Sequence, residues 1–395
     1  MYALKQARDI PARLRYRLNR KIVIGLQSVD NKDMGFLRIY SKKMIGGGLL
    51  FFALLLSLGN FTGCSRRMPA QTEFVLGTVC NVNLFEGGRQ KRYAAIFARL
   101  REIEEVMSAN KAGTELDRIN QNAGIGPVPV DAELIVVLER AQRYAEASGG
   151  AFDPTVGPLV KIWGIGSDAA RVPAQDEIDR ALALIDWRDL IIDKAAGTAF
   201  LRRPGMALDL GAIAKGYAAD EVVRLAKGNG VKRALIDLGG NILAMGARRG
   251  GNGLWQGKID AGGSMPWRIG IQDPRDNRGA YIGILQVINK SIVTSGIYER
   301  FFEDGGKRYH HLLSTKDGYP VYNGLLSVTI IADQSIDADG LSTSVFTLGY
   351  ERGRALVESV PGADAIFIFD DLSIRLTPGV AENFTLSNSE YYLGE

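Results

Sequence analysis

Apolar and polar residues follow a helical period along some stretches of the chain and alternate along others. Apolar positions on one helical face predict helices over residues 89–107, 131–147 (with Asp131 as the N-cap), 176–185 and 342–358. Alternation and short apolar runs predict strands over residues 72–85, 268–271, 281–288, 291–294, 325–332 and 365–369. Residues 234–243 predict a strand that is broken by the pair Gly239-Gly240.

One stretch, residues 207–220, combines both patterns. It predicts a strand, a turn at Gly211 and a helix that ends near Gly228 and Gly230. A helix N-terminus after a glycine turn offers free N–H groups and a positive dipole end, which suit a phosphate. A turn that serves only packing has the same sequence, so both interpretations remain open here.

The order of these elements predicts the fold class. Strands and helices are interspersed without a regular strand–helix–strand repeat, and several strands are joined by short turns. We therefore expect an α+β fold in which antiparallel sheets are packed by helices.

The charge is unevenly distributed along the 395 residues, of which 46% are hydrophobic. Residues 1–43 contain eleven Lys or Arg and three Asp, although the whole chain has a net charge of only +4. The rest of the chain has 37 basic and 41 acidic residues and is mildly acidic. This balance predicts no nucleic-acid partner.

The amino-terminal region has the features of an export signal. Residues 45–58 are apolar and uncharged and follow Lys42 and Lys43. They are too short for a bilayer core, which needs roughly 20 residues, but they suit the apolar region of a signal peptide. They precede Phe61-Thr-Gly-Cys64, which resembles the lipobox of bacterial lipoproteins, with Phe61 where Leu is usual. A buried helix followed by an unrelated cysteine is the alternative.

These features predict three segments. Residues 1–43 are a basic extension, with Met34 or Met44 as an alternative start; residues 44–63 are a lipoprotein signal peptide; and residues 64–395 are the functional domain. Lipidation (palmitate) of Cys64 would attach the protein to a bacterial cell membrane on its periplasmic or extracytoplasmic face. Cys80, the second of the two cysteines, would then have no disulfide partner and is expected to be a small core residue.

Six motifs in a fixed order resemble the ApbE family, the FAD:protein FMN transferases. They lie within residues 71–349 and are Leu76-Gly-Thr78, Gly150-Ala-Phe-Asp-Pro-Thr-Val-Gly-Pro-Leu159, Asp209-Leu-Gly-Ala-Ile-Ala-Lys-Gly-Tyr217, Asp237-Leu-Gly-Gly-Asn241, Thr294-Ser-Gly296 with Tyr309-His-His-Leu-Leu313, and Ala338-Asp-Gly-Leu-Ser-Thr343. The resemblance implies a T-fold-like architecture, FAD as substrate and Mg²⁺ as cofactor. It also implies transfer of FMN to a Thr or Ser hydroxyl of a target flavoprotein, with release of AMP.

The resemblance implies a metal site in the last of these motifs. Asp339 and Thr343 would be ligands on one helical face, because they are four residues apart, and the carbonyl of Ala212 would be a third. Cleavage of a pyrophosphate needs charge neutralisation, and Mg²⁺ prefers one or two carboxylates together with substrate phosphates. Asp339 as the N-cap of the following helix is the alternative.

The resemblance also implies a set of residues that contact FAD. They are Leu76, Asn110, Ala151, Phe152, Asp153, Asp209, Lys215 and Leu313. Lys215 on a solvated helix face and Phe152 in the core are the alternatives. Leu76 stands where the family usually has Met, and Asn110 stands where it often has a Tyr that contacts the flavin. Asn110 as the C-terminal cap of helix 89–107 is the other interpretation.

His311 matches the position of a catalytic base, and His310 is the only other histidine. Imidazole can take a proton from an attacking hydroxyl near neutral pH; a structural, hydrogen-bonded histidine is the alternative. The usual Asp-Pro that follows is Ser314-Thr315 here, and Asp317 replaces a common Thr.

Three other functions remain open. The same site with water as acceptor would make an FAD pyrophosphatase, a close alternative that the residues do not separate. A flavin-binding lipoprotein without turnover would not need both a metal site and a base. A surface-interaction lipoprotein would not bind flavin.

Overall fold

A computed structural model describes residues 68–249, 264–276 and 279–394. The predicted extension, signal peptide and Cys64 lie outside the described residues. In the described part of the chain, no helix has both the length and the apolar character needed to cross a bilayer.

The strands are β1 (Gln71–Val75), β2 (Thr78–Leu84), β3 (Val128–Pro129), β4 (Leu190–Asp193), β5 (Thr198–Leu201), β6 (Ala234–Leu238), β7 (Asn241–Met245), β8 (Arg248–Arg249), β9 (Ser264–Met265), β10 (Trp267–Gln272), β11 (Tyr281–Val287), β12 (Lys290–Gly296), β13 (Phe301–Asp304), β14 (Lys307–His310), β15 (Leu325–Ala332), β16 (Asp364–Phe369), β17 (Ser373–Leu376), β18 (Phe384–Leu386) and β19 (Tyr392–Leu393). The helices are α1 (Gln90–Met107), α2 (Glu115–Gln121), α3 (Ala132–Ala147), α4 (Gly157–Trp163), α5 (Gln175–Leu182), α6 (Ala214–Gly228), α7 (Ser335–Leu348), α8 (Tyr350–Glu358) and α9 (Pro378–Ala381).

One large sheet organises the described residues. Its nine strands follow the order β1-β2-β6-β7-β12-β15-β16-β17-β19, and every neighbouring pair is antiparallel except β17 and β19. Helices and short separate sheets accompany it. The predicted α+β class with antiparallel sheets packed by helices is therefore confirmed.

The hairpin of β1 and β2 turns at two residues with left-handed backbones. Leu76 and Gly77 have φ angles of 56° and 66°, the pattern of a tight two-residue hairpin turn. The conformation costs little for glycine but is uncommon for leucine. The Gly77 N–H donates to the Glu104 carboxylate on α1 at 3.2 Å. This bond connects the hairpin turn to α1.

The main core is large and continuous, with members on β1, β2, β6, β15, α1, α3, α6 and α7. Cys80 belongs to it, is fully buried and donates to the Val75 carbonyl. Burial raises the pKa of the Cys80 thiol to about 12, so the thiol is inert near neutral pH. This agrees with the prediction of a small core residue.

Two smaller apolar clusters complete the packing. One joins the sheet β10-β11-β18 to residues of the main sheet, such as Ile292 and Ile366. The other surrounds Trp163 at the end of α4, whose indole N–H donates to the Gly318 carbonyl at 2.8 Å. Leu313, on the loop that carries His311, belongs to the second cluster.

Two predicted elements differ from the structure. Residues 207–210 form no strand; Ala207 makes a single bridge to Val156. The helix predicted over residues 342–358 begins at Ser335 and is interrupted at Gly349, which has a φ of 79°. Helix α7 is buried on nearly all sides and has no amphipathic period to mark its start. Asp339 therefore lies inside α7, and its interpretation as an N-cap is wrong.

Candidate active site

Helices α6 and α7 start side by side, and each start is capped by a carboxylate from the other helix. The Gly216 N–H on α6 donates to Asp339 Oδ2 at 2.9 Å. The N–H groups of Ser335 and Ile336 on α7 donate to the two oxygens of Asp220 at 2.8 and 2.9 Å. Acceptors at the N-terminus satisfy orphan donors and complement the positive end of the dipole.

Only glycine fits at position 216 in this crossing. A Cβ atom there would lie 2.3 Å from the Ser335 carbonyl oxygen and 2.6 Å from the Ile336 Cα. Both neighbours are backbone atoms, so they cannot move aside as a flexible side chain would. The glycine therefore allows the close approach that brings Asp339 to the turn before α6.

Asp339 faces a positive charge from that turn. Its side chain is 5% exposed, and Oδ1 lies 3.6 Å from Lys215 Nζ. Lys215 Nζ also donates to the Gly211 carbonyl at 2.8 Å. Because a buried charge requires compensation, Asp339 and Lys215 form the electrostatic centre of this site.

The surrounding oxygen atoms suit a hard cation. Thr343 lies one helical turn beyond Asp339, and its hydroxyl is 3.4 Å from that of Ser295. The Gly216 N–H donates to Asp339 and does not form the usual helical bond to the Ala212 carbonyl four residues earlier. That carbonyl oxygen is therefore not used by Gly216. The described residues contain no group of three His, Cys, Asp or Glu side chains that could hold a metal ion. A single carboxylate with a hydroxyl and a carbonyl fits Mg²⁺, which takes its remaining ligands from water and substrate.

The predicted FAD-contacting loop before α4 turns two of its side chains inward. Phe152 is 4% exposed and packs edge-on to Tyr144 in the core. Asp153 accepts from the Thr155 N–H at 2.8 Å and from the Trp187 N–H at 3.0 Å, and its burial raises its pKa. The core interpretation of Phe152 is therefore correct for its side chain. Contact of Ala151, Phe152 or Asp153 with a nucleotide would therefore involve main-chain atoms of this loop or the half-buried side chain of Ala151.

Leu313 and Asp209 also have structural contacts. Leu313 is buried in the Trp163 cluster, which leaves little of its side chain for a cofactor. Asp209 Oδ1 accepts from the Gly211 N–H at 2.7 Å and shapes the turn before α6. The Asp209 N–H donates to the Pro154 carbonyl at 2.9 Å, which joins this turn to the loop of Ala151. The sequence could not reveal these side-chain directions.

His311 is held by one main-chain carbonyl. The main-chain nitrogen of His311 and its ring Nδ1 lie 3.1 and 3.3 Å from the Arg300 carbonyl oxygen. Because a carbonyl oxygen can only accept, Nδ1 carries a proton and Nε2 is the basic nitrogen. Desolvation, and after it the charge of Arg300, holds the pKa of His311 well below its ordinary value. The charge of Lys215 lowers this pKa as well. His311 is thus neutral at physiological pH.

His310 has a different environment. It is fully buried, Nε2 lies 3.0 Å from the Val321 carbonyl, and Nδ1 accepts from the Leu312 N–H at 3.3 Å. Desolvation lowers the pKa of His310 to about 4. Both ring nitrogens are occupied, so His310 holds the loop in place and has no free basic nitrogen.

The residues that depart from the family pattern join two loops. The Thr315 hydroxyl donates to the Gly150 carbonyl at 2.7 Å, and the Ser314 N–H donates to the Tyr319 carbonyl at 2.8 Å. Thr315 therefore connects the loop of His311 with the loop of Ala151. No local pattern predicts this contact, because the two residues are 165 positions apart.

Known proteins resemble this chain over most of its length. The model of the ApbE family matches residues 76–367, which include the motifs around Asp209, His311 and Asp339. The chain belongs to the ApbE family. An FAD:protein FMN transferase of Treponema pallidum is 40% identical over 354 residues, covering 86% of this chain and 95% of the relative. One from Klebsiella pneumoniae (strain 342) is 37% identical, covering 75% of this chain and 88% of the relative.

Solved ApbE structures share the fold. An ApbE protein of Thermotoga maritima has a TM-score of 0.69 and 30% identity, covering 78% of this chain and 97% of that protein. The flavin transferase ApbE of Vibrio cholerae has a TM-score of 0.64 and 27% identity, covering 82% and 97%. The predicted ApbE-type architecture is therefore confirmed.

Asn110 is exposed in this ApbE protein and lies beyond the end of α1. The C-cap of α1 is Ser108, whose N–H donates to the Glu104 carbonyl at 3.1 Å. The Asn110 N–H donates to Ser108 Oγ at 3.2 Å. The interpretation of Asn110 as the C-cap is therefore wrong, and its contact with a flavin stays a prediction.

Proposed function

We propose that the chain is an FAD:protein FMN transferase, dependent on magnesium, that transfers FMN from FAD to a Thr or Ser hydroxyl of a target flavoprotein. The acceptor oxygen forms a bond to the FMN phosphorus, the bond from that phosphorus to the bridging oxygen breaks, and AMP leaves. The observation that carries this proposal is the contact of Lys215 Nζ with Asp339 Oδ1 at 3.6 Å, together with a neutral His311 on which the Lys215 charge also acts. The named activity of the relatives supports it.

The residues divide the work by their chemistry. Asp339, Thr343 and the Ala212 carbonyl would hold Mg²⁺, which when bound neutralises charge on the phosphate oxygens. His311 Nε2 takes the proton of the acceptor hydroxyl, because Nδ1 is already held by the Arg300 carbonyl. Lys215 contributes positive charge for the diphosphate. Asp209 holds the turn from which Lys215 and Ala212 project.

Hydrolysis of FAD is a second activity of the same site. The observation that favours it is the exposure of Asn110, for which the family resemblance implies a Tyr that contacts the flavin. A loosely held flavin leaves the pyrophosphate open to water between encounters with an acceptor. FMN and AMP would then be released without transfer.

We also propose that lipidation of Cys64 attaches the enzyme to the periplasmic or extracytoplasmic face of a bacterial cell membrane. The order of basic residues, apolar run, Thr62-Gly63 and cysteine supports this placement.

The deciding experiment follows both products. The full-length protein is incubated with FAD, Mg²⁺ and an acceptor flavoprotein; we expect AMP in solution and FMN that stays on the acceptor after acid precipitation. Asp339→Asn is the matched variant, because it keeps an acceptor for the Gly216 N–H and removes the charge. It should fold and lack metal-dependent turnover. AMP release without acid-stable FMN would make the enzyme a pyrophosphatase, and no AMP release would overturn both activities.

A further inference from the structure

Lys215 occupies the side of Asp339 that a metal ion would need. One oxygen, Oδ2, already accepts the Gly216 N–H at 2.9 Å. The other, Oδ1, faces Lys215 Nζ at 3.6 Å, and the same Nζ donates to the Gly211 carbonyl at 2.8 Å. The chain itself therefore supplies the counter-charge for this carboxylate, whose side chain is only 5% exposed.

A divalent ion and this ammonium would compete for the same place. Both are cations, and both would bind Asp339 Oδ1 beside the turn that contains Gly211 and Ala212. Two positive charges a few ångströms apart repel each other in a partly buried site. A lysine has a flexible four-carbon stem, and the Lys215 side chain is 20% exposed, so its ammonium can leave the carboxylate.

A diphosphate is a suitable destination for the ammonium. Lysine binds phosphate as a mobile point charge, and the proposed substrate carries its negative charge on the diphosphate that is cleaved. Lys215 stands at the first turn of α6, where the N-terminal dipole also favours an anion.

We propose that Lys215 is an internal counter-ion of Asp339 that is displaced by a divalent metal ion and is received by the diphosphate of FAD. Metal ion and FAD then bind cooperatively: FAD removes the competitor of the metal ion, and the metal ion releases the lysine for FAD. The coupling is reciprocal, so each ligand raises the affinity of the other by the same factor. The proposal rests on the proposed function, from which it takes the metal ligand and the substrate.

The test measures metal binding without turnover. Mn²⁺ is titrated into the full-length protein, and free Mn²⁺ is followed by electron paramagnetic resonance. Without FAD, Lys215→Met should bind Mn²⁺ about tenfold more tightly than wild type, equivalent to 1.4 kcal/mol. Lys215→Gln should do the same and retains a donor for the Gly211 carbonyl if the first variant folds poorly. Lys227→Met, at the other end of α6, is the matched control and should leave the affinity unchanged.

The coupling is measured in a His311→Ala background, in which FAD is consumed slowly. FAD should tighten Mn²⁺ binding in the protein that has Lys215, and this factor should fall in Lys215→Gln. Equal or weaker Mn²⁺ binding in both Lys215 variants would overturn the proposal, as would Mn²⁺ binding that does not depend on Asp339. If the Lys215 variants bind Mn²⁺ more tightly than wild type but the wild-type protein transfers no FMN, the transferase function is overturned and the role of Lys215 as counter-ion is supported.

Discussion

His310 and His311 are neighbours in the chain, but their imidazoles have different surroundings. Replacing His311 with Ala removes the free basic nitrogen and should slow FMN transfer by roughly 10²–10⁴-fold, the usual range for general acid–base catalysis. Binding of FAD and of metal ion should persist. The measurement is the transfer rate at saturating FAD, alongside an FAD titration.

His310→Ala is the control for this prediction. It leaves the Val321 carbonyl and the Leu312 N–H without their partners in a buried place, so it should lower thermal stability and affect the rate mainly through loss of folded protein. Equal losses of rate per folded molecule in both variants would mean that the pair is structural.

The pH dependence of transfer follows from the same imidazole. Desolvation and the Arg300 charge lower the pKa of His311, so the basic form is already complete at pH 6.5. The acid limb of the transfer rate should therefore lie well below pH 6.5, and the rate should change little between pH 6.5 and 7.5. A limb centred near pH 6.5 would contradict the lowered pKa of this imidazole.

Asn110 offers a test of flavin retention. An aromatic ring stacked on a base contributes roughly 1–3 kcal/mol, and the isoalloxazine ring should gain at least as much. Asn110→Tyr should then tighten FAD by about tenfold and suppress release of free FMN. Asn110→Gln is the matched polar control. Indistinguishable affinities by fluorescence titration would mean that residue 110 does not meet the flavin.

At the scale of elements, the reciprocal caps of α6 and α7 link stability to pH. Burial raises the pKa of Asp220 to about 6, although the N–H groups of Ser335 and Ile336 oppose the shift. A raised pKa means that the folded state binds the proton more tightly than the unfolded state does. Its contribution to stability is therefore complete below pH 4 and is lost as the pH rises through about 6.

Asp220→Asn removes this dependence. Between pH 4 and 7, the free energy of unfolding of wild type should fall relative to the variant by about 1–3 kcal/mol, a range that allows for partial solvent screening. Urea denaturation at several pH values measures the difference. A gap that stays constant across this range would show that Asp220 has the same pKa in both states.

The sequence predicted the elements whose pattern is local. Alternation located β1 and β2, and the helical period located α1 and α3 close to their observed ends. It failed for α7, because a helix buried on nearly all sides has no polar face, and the predicted start was seven residues late. Side chains such as Phe152 and Leu313 could not be assigned either, since a core position and an apolar cofactor contact have the same composition.

For the whole molecule, attachment to the membrane is the property to test. Cys64→Ala should leave the protein unprocessed or soluble, because the thiol that receives the lipid is absent. Cell fractionation and mass of the mature chain provide the measurement. Cys80→Ala is the matched control and should not change the distribution, since that thiol is buried in β2. A processed Cys64→Ala protein that stays with the membrane would contradict lipidation.

The site depends on contacts that no local pattern contains. Gly216 meets Asp339 across 123 positions, and Thr315 meets Gly150 across 165. Motifs identified the participants, and their order along the chain identified the family. Which side chain satisfies which backbone group is decided by tertiary packing, so the caps, the Arg300 carbonyl at His311 and the Lys215–Asp339 contact emerged only from the structure.

The paired starts of α6 and α7 also govern when the protein can acquire its ligands. Helix α6 precedes its cap, Asp339, by more than a hundred residues, and its first turn stays incomplete until the chain has closed that distance. Closing long loops costs entropy before the contact rewards it, so this step belongs late in folding. A chain that has not completed this step therefore has neither the carboxylate nor the lysine in place to hold a nucleotide. FAD binding therefore requires that folding of this site is complete.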